Sequence, residues 1–173
     1  MRFMLAICLI CAFGGAGKAQ TSGALQPTPR AQHFMDLAST PERARAFLSG
    51  KTRITGDDRH GTQVEYNAPD GHTYLWYPGS PRITPGLWKT MEVLAPDGIH
   101  KAVRVCYVYS VNSVDPTNGS RGGSWSCVPG WYALIRTADT TQGDPFGLSD
   151  AGAAPFILSP APTTLAQLLR QRR

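Results

Sequence analysis

Apolar and polar positions change period along this chain. Residues 3–13 (FMLAICLICAF) are an unbroken apolar run. Residues 20–32 (QTSGALQPTPRAQ) are polar and hold two prolines, the composition of a flexible spacer. From His33 the apolar positions recur at helical spacing, with Phe34, Leu37 and Ala38 on one face. Ser39-Thr40-Pro41-Glu42 then carries helix-start signals: a hydroxyl cap, a proline at the first helical position and a carboxylate in the first turn. The spacing predicts a helix over 41–49 that buries Ala44, Phe47 and Leu48, with Gly50 as its stop.

After Gly50 the period becomes two. Alternation predicts strands over 51–55, 62–67, 71–77, 87–94, 99–110, 124–128 and 131–137. Turn residues punctuate them. Ala68-Pro69-Asp70-Gly71 and Ala95-Pro96-Asp97-Gly98 repeat one turn chemistry, and Pro129-Gly130 is another tight turn. Residues 56–61 and 111–123 read as loops. Residues 138–162, rich in Gly, Pro, Ala and Ser, read as a surface tail. Residues 163–173 (TTLAQLLRQRR) read as a short helix docking through Leu165, Leu168 and Leu169.

The expected fold is therefore mainly β: a small antiparallel barrel or sandwich of about seven strands, with an N-terminal helix and a short C-terminal helix. The expected organisation is a leader at 1–19, a flexible spacer at 20–32, a β-rich body with its leading helix at 33–137, and a Gly/Pro-rich tail with the final helix at 138–173.

The leader changes the compartment. Met1-Arg2 supplies positive charge, and Gly17 and Ala19 stand where a signal peptidase reads small residues. The apolar run is about half the ~20 residues that span a bilayer. Neither Cys8 nor Cys11 follows the small residue of a lipoprotein signal. The chain is thus expected to be periplasmic or secreted, without a transmembrane span. Cys106 and Cys127 remain beyond the leader, and an even pair in an exported chain reads as a disulfide. The formal charge of +5 includes Arg2 and Lys18 of the leader. The other basic residues are scattered, which argues against a nucleic-acid partner. Arg170, Arg172 and Arg173 form the one basic cluster. Favourable charge at a helix C-terminus accounts for it, and weak contact with an anionic membrane surface is the sharper reading.

Candidate chemistry is sparse. Asp57, Asp58 and His60 share a loop, with His72 expected to face them across a hairpin, but a metal centre needs at least three converging ligands. No metal or cofactor is expected. Gly147-Leu148-Ser149-Asp150-Ala151 has the outline of a nucleophile elbow, yet no histidine follows Ser149. Glu65 and Glu92 alternate with apolar residues and are expected on a solvated face, not as a catalytic pair. Aromatics are the distinctive feature. Tyr74, Trp76, Trp88 and Tyr109 are the candidate ligand-binding residues, with filling of a small core as the alternative.

Phe47-Leu48-Ser49-Gly50-Lys51-Thr52, Gly71 after an aspartate, Pro85-Gly86-Leu87-Trp88, Cys106-Tyr107-Val108-Tyr109 and Trp125-Ser126-Cys127 follow one another in order. In this the chain resembles small exported β-rich proteins of alphaproteobacteria grouped as a domain of unknown function. The resemblance covers residues 47–132. It implies the β fold and the disulfide, and it brings no catalytic residue. The expected function is that of a non-catalytic binding or accessory protein of the bacterial periplasm or envelope, whose partner is a small molecule or an envelope protein. The alternatives are an inhibitor of a cell-wall hydrolase and an enzyme of unrecognised type.

Overall fold

Hydroxyl residues set most of the helix starts. The computed structural model describes residues 26–95, 97–150 and 152–172; the leader expected at 1–19 lies outside them. Thr28 caps α1 (Pro29–Leu37) through the Ala31 N–H, and Thr40 caps α2 (Pro41–Leu48) through the Arg43 N–H. The first helix thus begins at Pro29, inside the segment expected to be spacer. Seven strands follow: β1 (Lys51–Asp57), β2 (Gly61–Asn67), β3 (His72–Trp76), β4 (Ile83–Leu94), β5 (Lys101–Tyr109), β6 (Ser126–Pro129) and, after α3 (Gly130–Ile135), β7 (Thr137–Gln142). The last helix, α4 (Leu165–Gln171), starts with a reciprocal cap between Thr164 and Gln167.

The strands form one antiparallel sheet in the order β6-β5-β4-β3-β2-β1-β7. Among the described residues no second sheet is stacked on it, so the sandwich alternative is corrected: the architecture is a curled half-barrel. Chain connectivity shows the curl. In a flat sheet β6 and β7 would stand six strand spacings apart, ~29 Å. They are joined by α3, whose six residues rise ~9 Å. The helix bridges the seam between the two margins, which do not pair with each other.

Two sequence expectations fail here. Residues 131–137 are not a strand. After Pro129 the segment turns helical, because Gly130, Ala133 and Leu134 bury one face at helical spacing. A Cβ on Gly130 would lie 3.1 Å from Ala38 and Val103 atoms, so the residue admits close packing of α3 on α1 and β5. Residues 138–162 are not a surface tail. β7 occupies their start, and Phe146, Leu148 and Leu158 are each about 1% exposed.

Each face of the sheet has its own core. On the outer, convex face, Ile54, Val64, Trp76 and Ile83 are roofed by Phe146, Leu148, Leu158, Leu165 and Leu168 from the C-terminal segment. On the inner, concave face, Trp88 and Val105 meet Ala38, Ala44 and Leu48 of the first helices and Ala133 and Leu134 of α3. Register partners Cys106 and Cys127 are joined by a disulfide that fixes β6 to β5. A disulfide-bonded pair is compatible with an oxidising, extracytoplasmic location. Among the described residues no helix is long and apolar enough to cross a membrane.

Candidate functional site

Strand parity places Arg53, Glu65, Asn67, Thr73, Trp88, Tyr107 and Tyr109 on the inner face. Arg53 and Glu65 are direct register partners and form a buried ion pair, Nη2 to Oε2 2.5 Å, at 7% and 4% exposure. Arg53 also donates through Nε to Asn67 Oδ1 (3.1 Å) and through Nη2 to the Tyr107 hydroxyl (2.8 Å). Glu65 Oε1 accepts from Thr73 Oγ1 (2.8 Å) and the Tyr109 hydroxyl (2.6 Å). Asn67 Nδ2 donates to Thr73 Oγ1. Bonds from β1 and β2 to β5 would span three to four strand spacings in a flat sheet, ~14–19 Å. The curl brings these side chains together across the concavity. Glu65 is therefore not on a solvated face, as its alternation with apolar neighbours implies. The polar side of its strand is buried too.

Electrostatics bind the cluster tightly. Burial works against the Arg53 charge, but Tyr107 and Glu65 beside it outweigh burial and hold the guanidinium protonated beyond its ordinary range. Burial, and then the Glu65 carboxylate, push the Tyr109 hydroxyl well above the usual tyrosine value. Burial pushes Tyr107 upward as well, against the attraction of Arg53. The folded chain thus holds these two protons more tightly than an unfolded chain, whose tyrosines ionise at about pH 10. Their contribution to stability is complete below that pH and is lost as pH rises beyond it. In a phenolate absorbance titration, Tyr107 and Tyr109 are expected to ionise late, together with unfolding. A Tyr107→Phe/Tyr109→Phe variant should lack that step. Ionisation of all six tyrosines while near-ultraviolet dichroism stays native would contradict this.

The four candidate aromatics do not form one surface. Tyr74 lies half-buried on the outer face, stacked between Tyr66 (6.3 Å) and His72 (6.4 Å). Trp76 is fully buried in the outer core, its Nε1 donating to Phe156 O. Trp88 is 2% exposed in the inner core, with Nε1 on Ala68 O and the Arg45 guanidinium 4.8 Å from its ring. Tyr109 belongs to the buried polar cluster. Both tryptophans are core residues and cannot present a ligand face.

The concave ground is elsewhere, at the end of the half-barrel that carries the β1–β2 turn. A shallow cleft of about 560 Å³ is lined by Arg59, His60, Tyr77, Pro78, Pro116 and Thr117. Asp57 Oδ1 builds its floor by accepting the N–H groups of Arg59 (3.0 Å) and His60 (2.7 Å), while Arg136 holds the other oxygen. Burial works to raise the Asp57 carboxyl, yet these bonds keep it below its usual value. Gly61, at φ +67°, lets Pro160 approach: a Cβ there would come within 2.6 Å of the proline ring. His60 Nδ1 lies 3.1 Å from the Tyr77 hydroxyl and 4.0 Å from Asp115 Oδ1. Asp115 orders the loop that the disulfide anchors, accepting from Thr117 and Asn118.

His72 does not face this turn. β2–β3 pairing puts it at the far end of β3, where Nδ1 lies 3.0 Å from Asp70. Among the described residues no group of three metal-ligating side chains converges. Arg172 Nη1 donates to Pro145 O (2.5 Å) and so serves the docking of α4; Arg173 lies outside the described residues. Comparison with known protein families, characterised proteins and solved structures finds no match for this chain.

Proposed function

We propose that this chain is an exported, non-catalytic binding protein that holds a small polar ligand of no net charge in the cleft at the β1–β2 turn. The observation that carries this reading is His60. Its Nδ1 is engaged by Tyr77, and among the described residues its Nε2 makes no hydrogen bond. A ring nitrogen oriented from behind and open in front is a recognition group. Arg59 and Arg136 stand among Asp57, Asp58 and Asp115, a set of charges with no positive excess. That set disfavours a polyanion. The buried carboxylate does not favour catalysis, because Glu65 is engaged by three donors and Arg53 by three acceptors. Export is supported by the leader sequence and by the disulfide, and protein recovered from producing cells should then begin at Gln20.

Thermal melts with a panel of neutral sugars, free amino acids and short peptides test the site. A ligand present at about 100 times its Kd stabilises by about 2.7 kcal/mol, a clear rise in Tm. His60→Ala and Tyr77→Phe should weaken binding about tenfold without lowering the ligand-free Tm. Binding that survives both substitutions places the ligand elsewhere, and a panel with no effect removes the reading.

A further inference from the structure

The cleft at the β1–β2 turn does not end at His60. A second concavity of about 690 Å³ adjoins it and extends to Arg136, Ala138 and Thr163, and Arg59, His60 and Pro160 line both. The shared floor is held in place: Thr62 donates its N–H to Pro160 O (2.9 Å) and its hydroxyl to Ala161 O (2.7 Å). Each concavity alone has the ~300–1,000 Å³ of one small-molecule site. Joined, they form a groove that suits a short linear chain better than a single compact unit.

The charges along this groove are unequally occupied. Asp57 is held by Arg136. Asp115 is held by Thr117 and Asn118, with His60 nearby. Arg59 is bonded through its backbone N–H, not its side chain. Among the described residues, the Asp58 carboxylate and the Arg59 guanidinium make no hydrogen bond or ion pair, with each other or with any other group. One unmatched charge of each sign therefore remains. Asp58 lines the second concavity alone, whereas Arg59 lines both. His60 adds a donor beside Arg59: with the Tyr77 hydroxyl donating to Nδ1, the ring proton sits on Nε2. A carboxylate matches Arg59 and that N–H together, and an ammonium matches Asp58. A neutral sugar would leave both charges unmatched. Resting on the reading of this cleft as a ligand site, we propose that the ligand is a short peptide with free termini, its carboxylate at Arg59 and His60 and its ammonium at Asp58. Such a peptide is polar and carries no net charge. The two charges fix the direction in which it lies along the groove.

Titration calorimetry with trialanine, whose side chains add least, tests this. N-acetyl-trialanine and trialanine amide each lack one terminal charge, and methyl glucoside carries neither. Free trialanine should bind, and each capped form should bind about two- to fivefold more weakly, the scale of one solvated charge pair. Asp58→Asn should weaken free trialanine by the same factor and leave the acetylated form unchanged. Arg59→Gln should likewise weaken free trialanine and leave the amide unchanged. Both side chains are exposed, so the ligand-free Tm should not fall. Ala138→Trp, which fills the second concavity, should weaken trialanine. Absence of trialanine binding overturns the inference, and methyl glucoside binding in its place keeps the cleft as a site. Trialanine binding that capping, Asp58→Asn and Arg59→Gln all leave unchanged overturns it too.

Discussion

Glu65→Ala is expected to destabilise the protein by about 3–5 kcal/mol, the cost of stranding one member of a buried ion pair. Arg53 is 7% exposed and has no second carboxylate in reach among the described residues. The Tyr109 and Thr73 hydroxyls would lose their acceptor at the same time. The lost attraction is therefore the smaller part; the larger part is a guanidinium left in a dry place. Removing both charges separates the two. Arg53→Met/Glu65→Leu should recover most of the loss, because apolar groups of similar volume replace a pair whose desolvation nearly cancels its attraction. Urea unfolding at constant m reads both results. Glu92→Ala, which breaks the exposed pair with Lys101 (2.6 Å), is the control and should leave the midpoint unchanged. A Glu65→Ala loss below about 1 kcal/mol, the range of exposed ion pairs, would mean that water reaches the cluster.

Ending the chain after Gln142 should abolish cooperative folding. The deletion removes Phe146, Leu148, Leu158, Leu165 and Leu168, each 3% exposed or less, from the outer core. Burying one such side chain contributes about 1.5–3 kcal/mol, and a whole domain is stable by only about 5–15 kcal/mol. The uncovered face would expose Trp76, Val64 and Ile54 together. A milder form of the test is Leu158→Ala, expected to cost about 2–5 kcal/mol. A truncated protein with dispersed amide resonances and a sharp melt would show that the inner core suffices alone.

Strand period was legible in the sequence. Six of the seven strands stand on runs whose alternation predicts them, and both Ala-Pro-Asp-Gly segments mark hairpin turns: Gly71 N–H bonds Ala68 O and Gly98 N–H bonds Ala95 O. The disulfide followed from arithmetic on cysteines. Which side of a strand is wet was not legible. Gln63, Glu65 and Asn67 alternate correctly against Val64 and Tyr66, but alternation separates two faces without saying that both are covered. β7 (TADTTQ) was missed because a polar margin strand carries no apolar signal. Residues 131–137 misled because Trp, Tyr and Ile favour strands locally, while Gly130, Ala133 and Leu134 are decided by α1 and β5, which lie far away in sequence. The cleft could not be read in advance, since its walls come from four segments that only the curl assembles. The short-range sign of it was Asp57 followed by Arg59 and His60, an aspartate placed to accept the next turn's N–H groups.

The roof of the convex face follows all the described strands in the sequence. While the polypeptide is being made, the strands that need that cover are already complete, and they wait for residues still inside the ribosome. Among the described residues before them no other apolar group covers that face, so it cannot lock before residues 146–168 have been made. A polypeptide kept loose until residues 146–168 emerge is one that a narrow channel can still thread, and its locking then belongs to whichever side of the channel it reaches.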